Sequence, residues 1–374
     1  MPPPPLRLPG FVNAHSHAFQ RMLRGRVERV DPDHPHDDFW TWREAMYEAA
    51  NSIDPDGAYE VALLVYREMA AAGYTAVGEF HYPHHQPGGE PYPDPNAMAR
   101  ATAAAAADAG IEVVMLMCAY ARAGAGKPPT EGQRRFCDPS VDDYLRRVDA
   151  LAADMPVGMA PHSIRAVPRD WLERIAAHAA DTGMVVHIHA NEQRREVAEC
   201  IDEYGKRPIE LLVEVGLLGP RTTVVHATHV SERELDLLAE TGTTVCACPT
   251  TEANLGDGFL PAAELLERRV PICIGTDSNT IIDPLAELRE IEHCARRLAE
   301  RRNVLVPAGD DGPSAYLYEI GCQNGARALG LDEPPGSVEV DLGHPLLDRV
   351  AAQDVPAALI FGGTTAALRP TPKG

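Results

Sequence analysis

The sequence predicts an α/β protein built as a (β/α)8 barrel of the TIM-like type, and three observations carry that prediction. Eight short apolar, β-branched runs alternate with longer segments of helical period. The polar residues able to do chemistry gather at the C-terminal ends of those runs. The competing doubly wound sheet would show a Gly-rich phosphate turn after its first strand, and AHSHAFQ stands there instead.

The strand runs are residues 10–13, 75–80, 111–118, 157–161, 184–187, 222–225, 243–248 and 270–274. Helical segments are expected at 55–72, 95–109, 141–153, 169–182, 194–215, 232–240, 261–268 and 284–302. The first of them shows the reason best. Ala58, Val61, Ala62, Leu64, Val65, Met69 and Ala70 recur at the spacing of one buried helical face. Several segments open with proline or a small polar residue and close near glycine, as helix ends do. Residues 314–329 read as one more helix, residues 337–341 (SVEVD) alternate like a strand, and 357–361 is another apolar run. Residues 31–38, residues 84–94 and the terminal TPKG read as loops or a loose end. The expected organisation is a catalytic barrel over residues 9–330. Segments 1–8 and 331–374 flank it as the remnant of a small β-sandwich.

Composition narrows the function. Of 374 residues, 45% are hydrophobic and 24% charged, which fits a globular chain and not a disordered one. With 34 basic and 55 acidic residues the net charge is −21, so a general phosphate-attracting surface is excluded and no nucleic-acid partner is expected. No run reaches the length of about 18 apolar residues that a membrane span needs. The start, MPPPPLRLPG, lacks the charged lead and apolar core of a secretory signal. Eight cysteines are scattered without a CxxC pair and read as buried free thiols. The expected compartment is the cytoplasm. A dianionic ligand would be repelled at long range and would need arginines placed beside it.

In a barrel, residues at the C-terminal ends of the strands point into one pocket. The ends here carry His15 and His17; Glu79, His81 and Tyr82; His162 and Arg165; His187 and His189, with Glu192 close behind; His226 and His229; and Asp277. Eight of the fifteen histidines lie at five of these ends. On an extended strand the i, i+2 pair His15 and His17 shares one face. His189 adds a third nitrogen and Asp277 a carboxylate oxygen. Such a set suits one divalent metal, Zn²⁺ first, with Fe²⁺ and Mn²⁺ able to use the same donors.

The segments PGFVNAHSHAFQRMLRG, DDFWTWREAMY, GEFHYPHH, APHSIRAV, HIHANEQ, VVHATH and CPTTEANLGDGF resemble the formimidoylglutamate deiminases of the amidohydrolase superfamily. The likeness runs from about residue 9 to 305. HxH, HxxE and TDS are generic to deaminating amidohydrolases, whereas FWTWRE, FHYxHH and PTTEANLGDG are specific to the one family. The resemblance implies a metal-dependent amidohydrolase barrel with one ion on His15, His17, His189 and Asp277. It implies Glu192 as proton shuttle, His226 as orienter of the attacking water, and Gln20, Arg43, Tyr82, His162 and Arg165 as substrate contacts. The implied reaction is hydrolysis of N-formimino-L-glutamate to N-formyl-L-glutamate and ammonia in histidine degradation, by a homodimer acting on a small molecule.

Elementary chemistry agrees with that reaction. An amidine carbon needs hydroxide at neutral pH, and zinc lowers the pKa of water to about 7. Asp277 has an oxygen free to take the water's proton, and Glu192 can protonate the leaving nitrogen. Two arginines match the two carboxylates of a glutamyl group. Read without the resemblance, Arg43 lies in a helix-like stretch and reads first as a solvated surface residue, and Arg165 divides evenly between pocket and surface. His81, His84 and His85 read as a loop cluster, with a second metal site as the alternative. His187 reads as a core residue, His229 as a neighbour of the site, and His34, His36, His178, His293 and His344 as structural or solvated. Two departures stand out. Few residues precede His15, so the sandwich is expected to be vestigial or the natural start to lie further upstream. Asn279 stands where the family leads one to expect histidine; if that position touches substrate, specificity shifts to another amidine, guanidine or aminated ring. A non-enzymatic barrel would be expected to have lost Glu192 or a ligand, and all are present.

Overall fold

The protein is described by a computed structural model over residues 6–29 and 37–370. Pro2 to Pro5, His34, His36, most of the expected 31–38 loop and the terminal TPKG lie outside the described residues. The strands are β1 (Leu6–Pro9), β2 (Phe11–Ser16), β3 (Tyr74–His81), β4 (Glu112–Ala119), β5 (Val157–Pro161), β6 (Val186–Ala190), β7 (Thr222–His226), β8 (Thr244–Ala247), β9 (Ile272–Ile274), β10 (Ser337–Val340) and β11 (Leu368–Pro370). Strands β2 to β9 form one parallel sheet in chain order, so all eight expected runs are barrel strands. Strand β1 pairs antiparallel with β10, and β10 with β11, giving the small terminal sheet.

The differences from expectation have local causes. Segment 194–215 is two helices, Arg194–Tyr204 and Pro208–Glu214. Gly205 takes φ 67°, the left-handed cap that ends a helix, and Pro208 suits only a first turn. Segment 314–329 breaks at Cys322 into Ser314–Gly321 and Gln323–Ala328. The apolar run 357–361 lies inside the helix Val355–Gly362, and the third strand of the terminal sheet is β11 instead. The short helix Pro249–Leu255 carries no amphipathic run long enough to announce it. The stretch around Arg43 is a helix, Phe39–Asn51. Asp38 caps it, accepting from the Trp40 and Thr41 amides at 2.8 and 3.2 Å.

One seam of the barrel is closed differently from the rest. Between β9 and β2 the described residues show a single bridge, Ser16 to Asp277, in place of a ladder. There the His17 amide donates to the Asp277 carbonyl at 2.9 Å and the Asp277 amide to the His15 carbonyl at 3.0 Å. Buried side chains complete the join. Asn13 Nδ2 donates to Thr276 Oγ1 (2.7 Å), and Thr276 Oγ1 to Asn279 Oδ1 (2.7 Å). Asn279 Nδ2 reaches Ser16 Oγ and the carbonyls of His17 and Asp277 at 3.0–3.1 Å. Asn279 can do this because it adopts φ 57°, a conformation asparagine tolerates. At the other end of the strands, the helix Gln323–Ala328 forms a floor. Asn324 donates to the Ile272 carbonyl at 2.9 Å, and His187 Nε2 contacts the Ala328 carbonyl at 2.9 Å. His187 is fully buried there.

Asn279→Ala should therefore lower the stability of the chain by about 2–4 kcal/mol, since each buried hydrogen bond lost counts for about 1 kcal/mol and leaves orphaned carbonyls. Chemical denaturation checks this; an unchanged midpoint would show that the seam does not need the clasp. A second expectation concerns acid. Asp138 is buried and accepts from Arg147 Nε and Nη2 at 3.1 and 2.7 Å, with His85 Nε2 at 3.5 Å. Burial opposes its ionisation, but the Arg147 guanidinium outweighs burial and holds the carboxyl well below the usual range. A depressed folded pKa stabilises fully above the unfolded value near 4, and that contribution fades as pH falls toward the folded value. A stability curve measured against pH should lose its steep acid limb in Asp138→Asn, whereas an identical limb would discount the pair.

Candidate active site

The C-terminal strand ends bring the four expected ligands together. The ring nitrogens of His15, His17 and His189 and a carboxylate oxygen of Asp277 all lie within 4.8 Å of one another, and all four residues are buried. His15 Nε2 is 3.1 Å from His189 Nε2 and 3.4 Å from Asp277 Oδ1, and His17 Nε2 is 3.2 Å from the same oxygen. The outer nitrogens of two rings are occupied. His17 Nδ1 contacts the Phe80 carbonyl at 2.9 Å and His189 Nδ1 the His162 carbonyl at 2.8 Å. A ring that donates Nδ1–H to a carbonyl keeps its Nε2 lone pair free and aimed inward. Burial favours the neutral ring at two of them: it pushes His15 down to about 3 and His189 well below the usual histidine value. Burial works against ionised Asp277, but its contacts with His15 and His17 outweigh this and hold it well below the carboxylate range. Three imidazoles and one carboxylate converging on a common point fit a divalent ion.

The backbone pays attention to this region. Asn191, His226, Ala227, Asp277 and Asn279 all take positive φ, between 47° and 73°. Left-handed conformation in non-glycine residues costs about 1 kcal/mol or more each and clusters where function fixes the geometry.

Beside the four ligands sit Glu192 and His226. His226 Nε2 is 3.7 Å from Glu192 Oε1 and 3.9 Å from Asp277 Oδ2. Burial raises the Glu192 pKa. Burial alone would lower His226, but Glu192, Glu252 and Asp277 around it outweigh that and lift it to about 10. The pair thus retains a proton at neutral pH, an effect a nearby divalent cation would oppose. Two neighbours were not singled out as site residues from the sequence. Glu252 Oε1 lies 3.3 Å from His226 Nδ1, and Asp257, buried beside Glu192, is pushed up to about 9, mainly by that burial. Both fall within the PTTEANLGDG segment, whose specificity was the available signal.

The five expected substrate contacts line the same cavity as His17, His189, Glu192, His226 and Asp277. Gln20, Tyr82 and His162 are buried in its wall, and Arg165 Nη2 stands 3.7 Å from Glu192 Oε2. Arg43 is turned inward from its helix, with its guanidinium 4.7 Å from the Trp40 ring and 5.5 Å from Tyr47. Gln20 Oε1, Arg43 Nε and Arg165 Nε are buried without a hydrogen-bond partner among the described residues. The free space is about 30 Å³, and Arg43 and Arg165 also border an outer cavity of about 410 Å³. Other expectations find other places. Asn279 does not line the cavity; its side chain is spent on the seam. His81, His84 and His85 are buried beside Arg135 and Arg147 rather than around a common ligand point, and they form no metal-type cluster among the described residues. His178 bonds Asp149 at 2.8 Å on the surface, and His344 caps a short 3₁₀ turn. No described helix is long and apolar enough to cross a membrane.

The comparisons with known proteins agree with this geometry. The family model described as "Amidohydrolase family" matches residues 6–341. The formimidoylglutamate deiminase of Pseudomonas aeruginosa is 40% identical over 341 residues, which cover 89% of this chain and 74% of that protein. A crystal structure of an amidohydrolase from Brucella melitensis superposes with a TM-score of 0.86 at 35% identity, covering 97% of this chain and 82% of the other. An adenosine deaminase from Xanthomonas campestris with bound zinc superposes at 0.79 with 26% identity, covering 97% and 77%. With a barrel whose strand ends carry this ligand set and a family match that spans nearly its whole length, the chain belongs to the amidohydrolase family.

Proposed function

We propose that the protein hydrolyses N-formimino-L-glutamate to N-formyl-L-glutamate and ammonia. The observation that carries this reading is one cavity holding the four-ligand cluster, the Glu192–His226 pair and two inward-facing arginines, in a chain 40% identical to a formimidoylglutamate deiminase. His15, His17, His189 and Asp277 would hold one divalent ion, Zn²⁺ before Fe²⁺ or Mn²⁺, since a bound zinc accompanies the related fold from Xanthomonas. When bound, such an ion supplies Lewis-acid activation of the attacking water.

The remaining work falls to side chains. Asp277 Oδ2 is turned away from His15 and His17 toward His226 and takes a proton from the water. His226, steadied through Nδ1 by Glu252, orients that water. Glu192, whose pKa burial raises, shares the proton held by the Glu192–His226 pair and passes it to the departing nitrogen. Water thus adds across the formimino C=N bond, and ammonia leaves. The two substrate carboxylates meet Arg43 and Arg165, whose unpartnered nitrogens mark unmet donors. Gln20, Tyr82 and His162 line the wall against the rest of the molecule. The rival substrates, another amidine or an aminated ring, lose their main motive because Asn279 faces the seam. Eight free thiols among the described residues support a cytoplasmic place, and the family likeness supports a homodimer.

Purified, metal-loaded protein should release ammonia from N-formimino-L-glutamate; a preparation holding one ion per chain but inert toward this compound would overturn the assignment. Glu192→Gln should lower kcat by about 10²–10⁴-fold while metal content stays at wild-type level. Arg165→Met should raise KM by about 10–150-fold, the loss of one charge-assisted contact, with kcat less affected. Steady-state kinetics beside metal analysis reads both effects, and an unaltered KM would remove Arg165 from the substrate site.

A further inference from the structure

A second group of donors adjoins the first. His226, Cys248 and Asp277 offer one nitrogen, one sulfur and one oxygen, all three residues are buried, and these atoms also lie within 4.8 Å of one another. Asp277 belongs to both groups, and its two oxygens divide between them. Oδ1 faces His15 and His17 at 3.4 and 3.2 Å, whereas Oδ2 faces His226 Nε2 at 3.9 Å. A carboxylate so placed can give one oxygen to each of two ions.

Cys248 is held where it is by Glu252. The Cys248 amide donates to Glu252 Oε1 at 2.9 Å, and the same oxygen is 3.3 Å from His226 Nδ1. With Nδ1 engaged there, the Nε2 of His226 is the nitrogen left to face Asp277. Sulfur makes this second group softer than the first, whose donors are three nitrogens and an oxygen. The proposed reaction uses His226 and Asp277 but has no task for the thiol.

We propose that His226, Cys248 and Asp277 form a second metal site that takes a thiophilic divalent ion, Cd²⁺ or Zn²⁺ in excess, and that filling it inhibits the enzyme. Binding replaces the Cys248 S–H bond with a sulfur–metal bond and releases that proton to solvent, while the proton held by the Glu192–His226 pair passes to Glu192 or to solvent, so that His226 binds in its neutral form. No electron is transferred. Inhibition, as distinct from binding, rests on the functional reading above, because the ion would take His226 and one Asp277 oxygen from the attacking water.

The test starts from protein loaded with one equivalent of Zn²⁺ and titrates Cd²⁺. It follows bound metal per chain, the ultraviolet thiolate-to-cadmium charge-transfer band, and ammonia release. The expected result is a second bound equivalent, a band that rises with it, and activity that falls in parallel. Cys248→Ser should lose the band and the second equivalent, keep the first ion and its basal activity, and raise the half-inhibitory Cd²⁺ concentration by at least about tenfold. Cys137→Ser, outside the buried Cys246–Cys248–Cys273 cluster, should behave as wild type. Saturation of the wild type without a thiolate band, or a band that survives in Cys248→Ser, would overturn the site. A normal band with undiminished activity would overturn the inhibition. Should N-formimino-L-glutamate prove not to be the substrate, the stoichiometry and the band still decide the site.

Discussion

Everything in this molecule depends on how β9 is joined to β2. Seven junctions of the barrel are parallel ladders, but the eighth rests on the Ser16–Asp277 bridge and on the Asn13–Thr276–Asn279–Ser16 clasp. The backbone groups in that bridge belong to His15, His17 and Asp277, three of the four candidate ligands. Closure of the fold and assembly of the ligand set are therefore one event. The fourth ligand, His189, arrives on β6, whose place is set by its neighbours in the sheet and by the His187 contact with the floor helix. Crowding at the seam leaves no room for variation: a Cβ on Gly275 would stand 2.7 Å from both the Cβ and the carbonyl oxygen of His15.

Much of this was legible in the sequence because barrel strands announce themselves twice. They are short β-branched runs, and their polar residues fall at one end. All eight runs are strands, and His15, His17, His189 and Asp277 converge. What was not legible depends on partners distant in the chain. Glu252 looks like any exposed helical glutamate until β7 delivers His226 to its side. Asn279 raised the question of substrate contact because it stands where the family resemblance leads one to expect histidine, but φ 57° turns its amide back into the seam. The run 357–361 is apolar enough for a strand or a buried helix, and period alone does not separate the two at that length. The divided helices are the opposite case, since Gly205 and Pro208 were visible punctuation inside a pattern that otherwise read as continuous.

The charge in the cavity is divided rather than uniform. The molecule as a whole carries −21, while the cavity sets Arg43 and Arg165 at one side against Glu192 and Asp277. Trp40 keeps this arrangement in place by aromatic contact. The guanidiniums of Arg43, Arg165 and Arg195 lie 4.7, 5.4 and 4.2 Å from its ring. Three like charges around one indole repel one another, and each is offset by the ring face and by acidic neighbours such as Glu192 and Glu199. On the function proposed above, a substrate carboxylate placed between Arg43 and Arg165 would relieve that repulsion locally, whatever the long-range field.

The inner cavity, about 30 Å³, adjoins the outer one through Arg43 and Arg165. Its roof is the helix Phe39–Asn51, which contributes Phe39, Trp42, Arg43, Met46 and Tyr47 to the lining. Tyr47 is tied to Tyr120 and Gln133, whose hydroxyl and amide contacts of 2.9–3.3 Å anchor the C-terminal half of that helix to the barrel. The other half begins at Asp38, which is exposed and, among the described residues, bonds only within its own turn, while Trp40 packs against Arg165 and Arg195. At this Trp40 end Arg43 and Arg165 border the outer cavity of about 410 Å³. On the function proposed above, a substrate entering there would meet the arginines first with its carboxylates, and its amidine end would then point inward to Glu192 and the ligand cluster. The geometry that would select the charge of the tail would thereby fix which end of the molecule reaches the reacting groups.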